Sequence, residues 1–415
     1  MIPPVRGQVL IRTTLALAGL AGLGGLTWLS IRLQHPVLAF AGTLVHPLRA
    51  WLLAAVAVVA GNALQGRPRT YALLLLGGVA CPVLLGPAGW IPVLYALFTC
   101  AVARAPGGPW LRVPLLAAGW GGYLAARPVL PGWALPTTAV LLAWAALAYA
   151  SLLVVLERAR HREKAHAADE LGYLLALPRL LSPFFQPMLP SYVRGRVHAE
   201  SPVRGPLLGL GLGLLALGLT PLGVWLASHP PQNAPLPVQA TVALALAWLQ
   251  YARGIFAAVA LFRLMGFDLA SGFKAPFLAT SYADFFRRWN HYVRDTVSEA
   301  FFVPLYARLS ARVHPRAAAV LAGYGAILVG ILLMSEALVP VVGGMPLRAI
   351  TTWTLHPVRL GVLALFWTLV VVPEALGVRL ELPGGRPLPR PVRTLLFLAS
   401  LVALTSVMLA GGTRP

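Results

Sequence analysis

Apolar runs set the layout of this chain. A bilayer span needs about twenty apolar residues. Such runs recur at 9–31, 49–64, 71–86, 88–104, 111–126, 134–156, 206–228, 236–264, 317–340, 358–378 and 393–411. They predict an all-α fold, a polytopic transmembrane helix bundle of about eleven spans. The division within 71–104 rests on "GPAGW" at 86–90, which reads either as a tight turn or as a kink. The first run has Arg6 and Arg12 ahead of it, as a signal peptide would, but it continues through Trp28 without a convincing cleavage site. It is therefore expected to stay as a membrane helix. The polar connections are too short to bury a soluble core, so residues 1–415 are expected to form a single integral membrane domain.

Two stretches break the pattern. The segment "LGYLLALPRLLSPFFQPMLPSY" (171–192) is apolar, but Pro178, Pro183, Pro187 and Pro190 forbid one continuous helix. It reads as a re-entrant segment or as an interfacial loop. The other is 267–306, where Asp284, Arg287, Arg288, His291, Arg294, Asp295 and Glu299 fall close together.

Composition sharpens the contrast. The chain is 58% hydrophobic and 11% charged, with a mean hydropathy of +0.77, against roughly 25% charged residues in a soluble domain. Its net charge is +21, carried almost wholly by Arg. The basic residues lie between apolar runs, not on an aromatic-studded patch. They read as retention against the anionic inner leaflet of a bacterial inner membrane, and nucleic acid is not expected as a partner. The connection 228–239 has no Lys, Arg, Asp or Glu and is expected outside. The basic segments at 157–164 and 194–204 are expected in the cytoplasm. This orientation gives a cytoplasmic N-terminus and an outside C-terminus. Cys81 and Cys100 read as buried, inert thiols. His35, His46, His198, His229 and His314 sit at span ends or loops and read as solvated. No histidine spacing fits a metal, so none is expected.

Drawn as one helix, positions 284, 288, 291, 295 and 299 share a face. Asp284 with Arg288, and His291 with Asp295, stand four apart and can pair. Phe285, Trp289 and Tyr292 make a second, aromatic face. A basic amphipathic helix of this kind often lies at the headgroup interface. The acids argue otherwise, since one-to-one pairing with Arg and His suits charges neutralised inside protein. A carboxylate beside His291 would also fix the imidazole tautomer and raise its basicity.

The stretch "GFDLASGFKAPFLATSYADFFRRWNHYVRDTVSEAFFVPLY" (266–306) resembles the signature region of membrane-bound O-acyltransferases, the MBOAT family. The polysaccharide-acetylating branch, typified by alginate O-acetyltransferases, looks closest. The resemblance rests on Gly266-Phe267, Phe273, Pro276, Ser281, Asp284-Phe285, Arg287-Arg288-Trp289, Arg294-Asp295 and Pro304-Leu305. It implies a ring of transmembrane helices around a tunnel and transfer of an acyl group, acetyl in that branch, to a hydroxyl of an envelope polysaccharide or lipid. The donor would be acyl-CoA or an acyl-carrier thioester, used as a co-substrate, with no bound cofactor. A secreted or periplasmic partner completing the transfer is compatible with it.

The resemblance carries over two functional positions. The first, after the signature Trp, is Asn290. The second is a His in the next apolar helix, usually taken as the base; here "GILLMSEALVP" (330–340) puts Ser335 there, followed by Glu336. His356, Glu336 and His291 are the alternative bases. The catalytic candidates are thus Asn290, His291, Asp295, His356, Ser335 and Glu336. Asp284, Arg287, Arg288, Trp289 and Arg294 are the substrate-binding candidates around them. Loss of the usual His leaves a second expectation open: a catalytically degenerate subunit that binds or scaffolds a glycan acylation or export complex.

Overall fold

The computed structural model describes residues 6–32, 47–126, 147–158 without 149, 166–178, 190–331 without 230, 232 and 290, and parts of 361–410. Among the described residues the regular structure is helical apart from one two-residue strand pair, Glu381–Leu382 with Arg386–Pro387, and turns and irregular segments join the helices. Among the described residues, six helices are long and apolar enough to cross a membrane: Gly7–Trp28, Gly66–Leu85, Pro87–Arg104, Arg204–Leu226, Leu236–Leu264 and Arg390–Val407, with Leu48–Ala63 as a shorter one. The predicted runs 134–156, 317–340 and 358–378 extend partly or largely outside the described residues. So do 179–189 of the Pro-rich segment.

The chain divides into two compact units, Met1–Leu222 with Tyr251–Ser271, and Gly223–Gln250 with Gly272–Pro415. In the first unit, α1 (Arg6–Arg32), α2 (Pro47–Ala63) and α3 (Gly66–Leu85) pack in succession. The α2 helix shows why. Ala50, Ala54 and Ala57 are buried to 2% exposure or less, while Leu48, Leu52 and Val56 are more than half exposed. Small residues inward and large apolar ones outward is the arrangement of a helix whose outer solvent is lipid. In water that exposed face would be a liability.

After α3 the residues "GPAGW" form a tight turn, with a 3-10 turn at Pro87–Gly89 leading into α4 (Trp90–Arg104). Helix α5 (Pro109–Ala126) follows. Helical residues 150–158 then lead towards α6 (Ala167–Leu174), whose Tyr173 and Leu174 are buried. The chain after α6 comes so close to α3 that a Cβ on Gly77 would lie 2.0 Å from the Leu175 carbonyl oxygen. In the Pro-rich segment α6 ends at Leu174, Leu175 and Ala176 are not helical, and Leu177 and Pro178 are helical again; beyond residues 179–189 the short α7 (Pro190–Arg194) follows. Helices α8 (Arg204–Ser228) and α9 (Leu236–Leu264) supply residues to both units.

The second unit holds α10 (Tyr282–Trp289), α11 (His291–Val297), a π-helical turn at Ser298–Phe302, α12 (Val303–Ser310), α13 (Pro315–Ile331) and α14 (Arg390–Ala410). Tyr282 and Phe285 of α10 pack on Phe397 and Leu401 of α14. The Tyr282 hydroxyl donates to Ser400 Oγ at 3.0 Å. One face of α10 is therefore sealed against apolar side chains, and its polar face is left for other work.

Candidate functional site

Local chemistry fixes where α10 begins. Asp284 N–H donates to Ser281 Oγ at 3.1 Å, and Asp284 Oδ2 accepts from Thr280 N–H at 3.1 Å. This reciprocal capping, with Asp in place of the usual Glu, satisfies N-terminal donors that the helix leaves unpaired. Asp284 Oδ1 also accepts from Arg288 Nε at 2.7 Å, the pairing expected from the four-residue spacing. Both side chains are about a quarter exposed.

The single helix expected over 284–299 is interrupted. His291 N–H donates to the Gly272 carbonyl at 3.1 Å, and Lys274 N–H donates to the Arg288 carbonyl at 2.9 Å. Arg288 Nη1 reaches the Lys274 carbonyl at 3.3 Å, and Arg294 Nη1 reaches that of Arg287 at 3.3 Å. The incoming strand-like segment 272–274 thus takes over the bonds that would have joined α10 to α11. Its path requires Ala275 to sit at φ 48°. Directly after α11, the backbone widens into the π turn, a feature frequent at functional sites.

The interruption turns His291 inward. It is 5% exposed, its ring centroid lies 4.2 Å from that of Tyr292, and its Nδ1 is buried with no hydrogen-bond partner among the described residues. Burial is the main reason its pKa falls to about 4. Asp295 and the Gly272 backbone act against the fall, whereas Lys274 and Arg294 add to it. The imidazole is therefore neutral at pH 7. The predicted carboxylate partner is engaged elsewhere: Asp295 Oδ1 accepts from Arg294 Nε at 2.7 Å and from Nη2 of the same side chain.

The remaining predicted residues divide cleanly. Arg287 is exposed, and Arg288 and Arg294 are partly so. Trp289 turns into an aromatic group, 5.0 Å from Phe285, 5.9 Å from Phe273 and 6.2 Å from Phe277. Asn290, Ser335, Glu336 and His356 lie outside the described residues. Lys274 escaped the sequence reading because its link to the site is a backbone bond across the chain. Its one sequence signal is that it is one of only two lysines.

A second polar cluster, in the first unit, also escaped. Arg12 Nη2 pairs with Asp268 Oδ1 at 2.5 Å, with both side chains at most 5% exposed. Asp268 Oδ2 accepts from Glu200 N–H, and the Glu200 carboxylate takes Arg263 through both guanidinium nitrogens at 3.2 and 3.4 Å. The end of α9 is capped here: Asn62 Nδ2 donates to the Leu264 carbonyl at 2.7 Å and Arg69 Nη2 to that of Met265 at 3.1 Å. Cations and donors at a helix C-terminus oppose its unpaired carbonyls. Arg69 also lies 4.1 Å over the Phe267 ring.

His198, expected to be solvated, is half-buried in this cluster, with Nε2 3.1 Å from the Gly61 carbonyl. Burial, then Arg12 and Arg69, lower its pKa to about 4. His229 and His314 are exposed, as expected; His35 and His46 lie outside the described residues. A third knot binds Glu170 to Arg104 at 2.6 Å and to Arg158 at 2.7 Å, while Glu157 Oε1 accepts from Ser191 N–H. Cys81 and Cys100 are buried and unbridged. Among the described residues, no three His, Cys, Asp or Glu side chains gather as metal ligands.

Chemically, the second-unit site offers a neutral buried proton acceptor beside partly exposed cations. The first-unit clusters are close-packed; a Cβ on Gly205 would lie 2.4 Å from Asp268 Oδ1. They hold the starts and ends of several helices together. Compared with protein-family models and with curated proteins, the chain matches none of either.

Proposed function

We propose that this protein is a bacterial inner-membrane O-acyltransferase of the MBOAT type, with about eleven spans and a cytoplasmic N-terminus. It moves a short acyl group from acyl-CoA or an acyl-carrier thioester to a hydroxyl of an envelope polysaccharide or lipid. One observation carries the reading. The signature-like stretch buries a neutral imidazole, His291, whose Nδ1 has no hydrogen-bond partner among the described residues. Burying a polar atom without a partner costs about 1–3 kcal/mol, and a substrate hydroxyl would supply the missing bond.

In this reading His291 Nδ1 accepts the hydroxyl proton as its oxygen attacks the thioester carbonyl carbon. The C–S bond breaks and the thiolate takes the proton, so the products are an ester and a free thiol. Lys274, Arg287, Arg288 and Arg294 give the site a cationic rim suited to an anionic donor. Asn290 orients the reacting groups. The scaffold reading keeps one supporting observation, since Asp295 is held by Arg294 and gives the imidazole no hydrogen-bonded carboxylate.

Thioester turnover by the full chain in nanodiscs tests the reading. His291→Ala should lower turnover about 100-fold or more, the range of a positioned general base, while His356→Ala leaves it within a few-fold. In kcat/KM the acid limb should fall near pH 4, where His291 protonates, not near 6.5. Wild-type turnover in His291→Ala would overturn the assignment. No turnover by the wild type with any donor and acceptor would favour the scaffold.

A further inference from the structure

Besides His291 Nδ1, two buried side-chain polar atoms of the second unit have no hydrogen-bond partner among the described residues, Trp248 Nε1 and Arg393 Nε, and of these only Trp248 belongs to an aromatic group that includes Trp289. Trp248, on α9, has its Nε1 buried and without a hydrogen bond among the described residues. The ring belongs to a closed aromatic box. Trp248 meets Phe273 at 6.4 Å and Phe277 at 5.7 Å, both edge-to-face, and Trp289 meets the same two rings at 5.9 and 6.2 Å. The box joins the site through its backbone. Phe273 follows Gly272, whose carbonyl holds His291 N–H, and Trp289 stands two residues before His291.

An indole N–H can only donate, and a buried indole usually finds an acceptor. The two orphan atoms are therefore complementary: Nε1 of Trp248 donates, and Nδ1 of neutral His291 accepts. Acyl transfer needs this combination, a base for the attacking hydroxyl and a donor for the oxygen that gains charge. Edge-to-face rings offer an apolar wall to a short hydrocarbon tail.

We propose that Trp248 donates to the acyl carbonyl oxygen of the thioester, and that the box of Trp248, Phe273, Phe277 and Trp289 receives a short acyl tail. This rests on the acyl-transfer reading above. As the hydroxyl oxygen adds to the carbonyl carbon, the oxygen held by Trp248 gains negative charge. That charge returns to the carbonyl when the C–S bond breaks and the thiolate leaves with the proton taken up by His291. No oxidant or further reactant enters.

Trp248→Phe keeps the ring and deletes the donor. In nanodiscs, with melting temperature followed in parallel, it should lower kcat with acetyl-CoA about 100-fold, the effect of losing one oxyanion donor, while KM for the donor stays within about threefold. Phe277→Leu, which opens the box, should reduce the preference for acetyl- over octanoyl-CoA about tenfold, the scale set by a few methylenes in an apolar pocket. Wild-type kcat in a folded Trp248→Phe protein would overturn the donor role. Equal wild-type turnover of both donors would overturn the short-tail box.

A readout independent of turnover separates this proposal from the one beneath it. The indole 15N–H signal of Trp248, identified by its loss in Trp248→Phe, should shift with acetyl-CoA and not with CoA. If the shift appears in a protein that turns over no thioester, the binding role stands and the transferase reading falls. If no shift appears while turnover persists, Trp248 is only a core side chain.

Discussion

His198 and His291 carry the same ring and undergo the same downward shift for the same kind of reason, burial first and two neighbouring cations added to it. His198 stands beside Arg12 and Arg69, which add to the effect of burial. In the unfolded chain it takes a proton near pH 6.5; folded, only near 4. Between those values the unfolded chain binds more protons, so stability should fall as pH drops from about 6.5 to about 4. His198→Gln, which keeps a donor for the Gly61 carbonyl, should make melting temperature less steep against pH across this window, with His291 supplying the remaining slope. An unchanged slope would remove His198 as its source. The Arg12–Asp268 pair makes a larger claim. Asp268→Asn leaves a buried guanidinium without a counter-ion and should cost about 3–5 kcal/mol, whereas Arg12→Met with Asp268→Leu should be far milder. Comparing the melting temperatures of the two variants checks the difference. Neither role was readable beforehand. Asp268 is one more acid within the signature-like stretch 266–306, and nothing local points to its partner, which lies 256 residues away.

At the scale of elements, periodicity located the helices well and misjudged one. The apolar runs at 9–31, 236–264 and 393–411 match α1, α9 and α14 closely. The stretch 284–299 has a helical pattern throughout, yet α10 stops at Trp289 because Gly272 and Lys274 take its onward hydrogen bonds. A pattern of side chains reports local preference and carries no record of a competing backbone. The same competition puts Ala275 in the left-handed region at φ 48°. A Cβ there costs roughly 1–2 kcal/mol, partly offset by the greater freedom glycine loses on folding. Ala275→Gly should therefore stabilise the second unit by up to about 1 kcal/mol. A lower melting temperature in that variant would mean that the turn relaxes in solution.

At the scale of the molecule, charge is sorted to one end of the first unit. Glu157, Asp169, Glu170, Glu200 and Asp268 all join knots made by the starts of α1, α3 and α8 and the ends of α2, α4 and α9. The connection from α8 to α9 leaves from the opposite ends of those helices and carries no Lys, Arg, Asp or Glu. The loop charges had already indicated this sorting; the pairings that create it were hidden. Under the proposed orientation, Arg67→Cys should react with an impermeant thiol reagent only from the cytoplasmic side, and Asn233→Cys only from outside. Both natural cysteines are buried, so background labelling is low. The reverse pattern would invert the topology.

The Arg12–Asp268 pair also sets a clock. Arg12 leaves the ribosome 256 residues before its partner. At about 5–20 residues per second of synthesis, the wait is roughly 13–50 s. Throughout that time the Arg12 guanidinium lacks the carboxylate that it pairs with in the folded protein. The pair cannot close until Asp268 has been made. The first unit is therefore locked late, by a residue at its far end, and a ribosome stalled before Asp268 should leave α1 open to extraction and proteolysis.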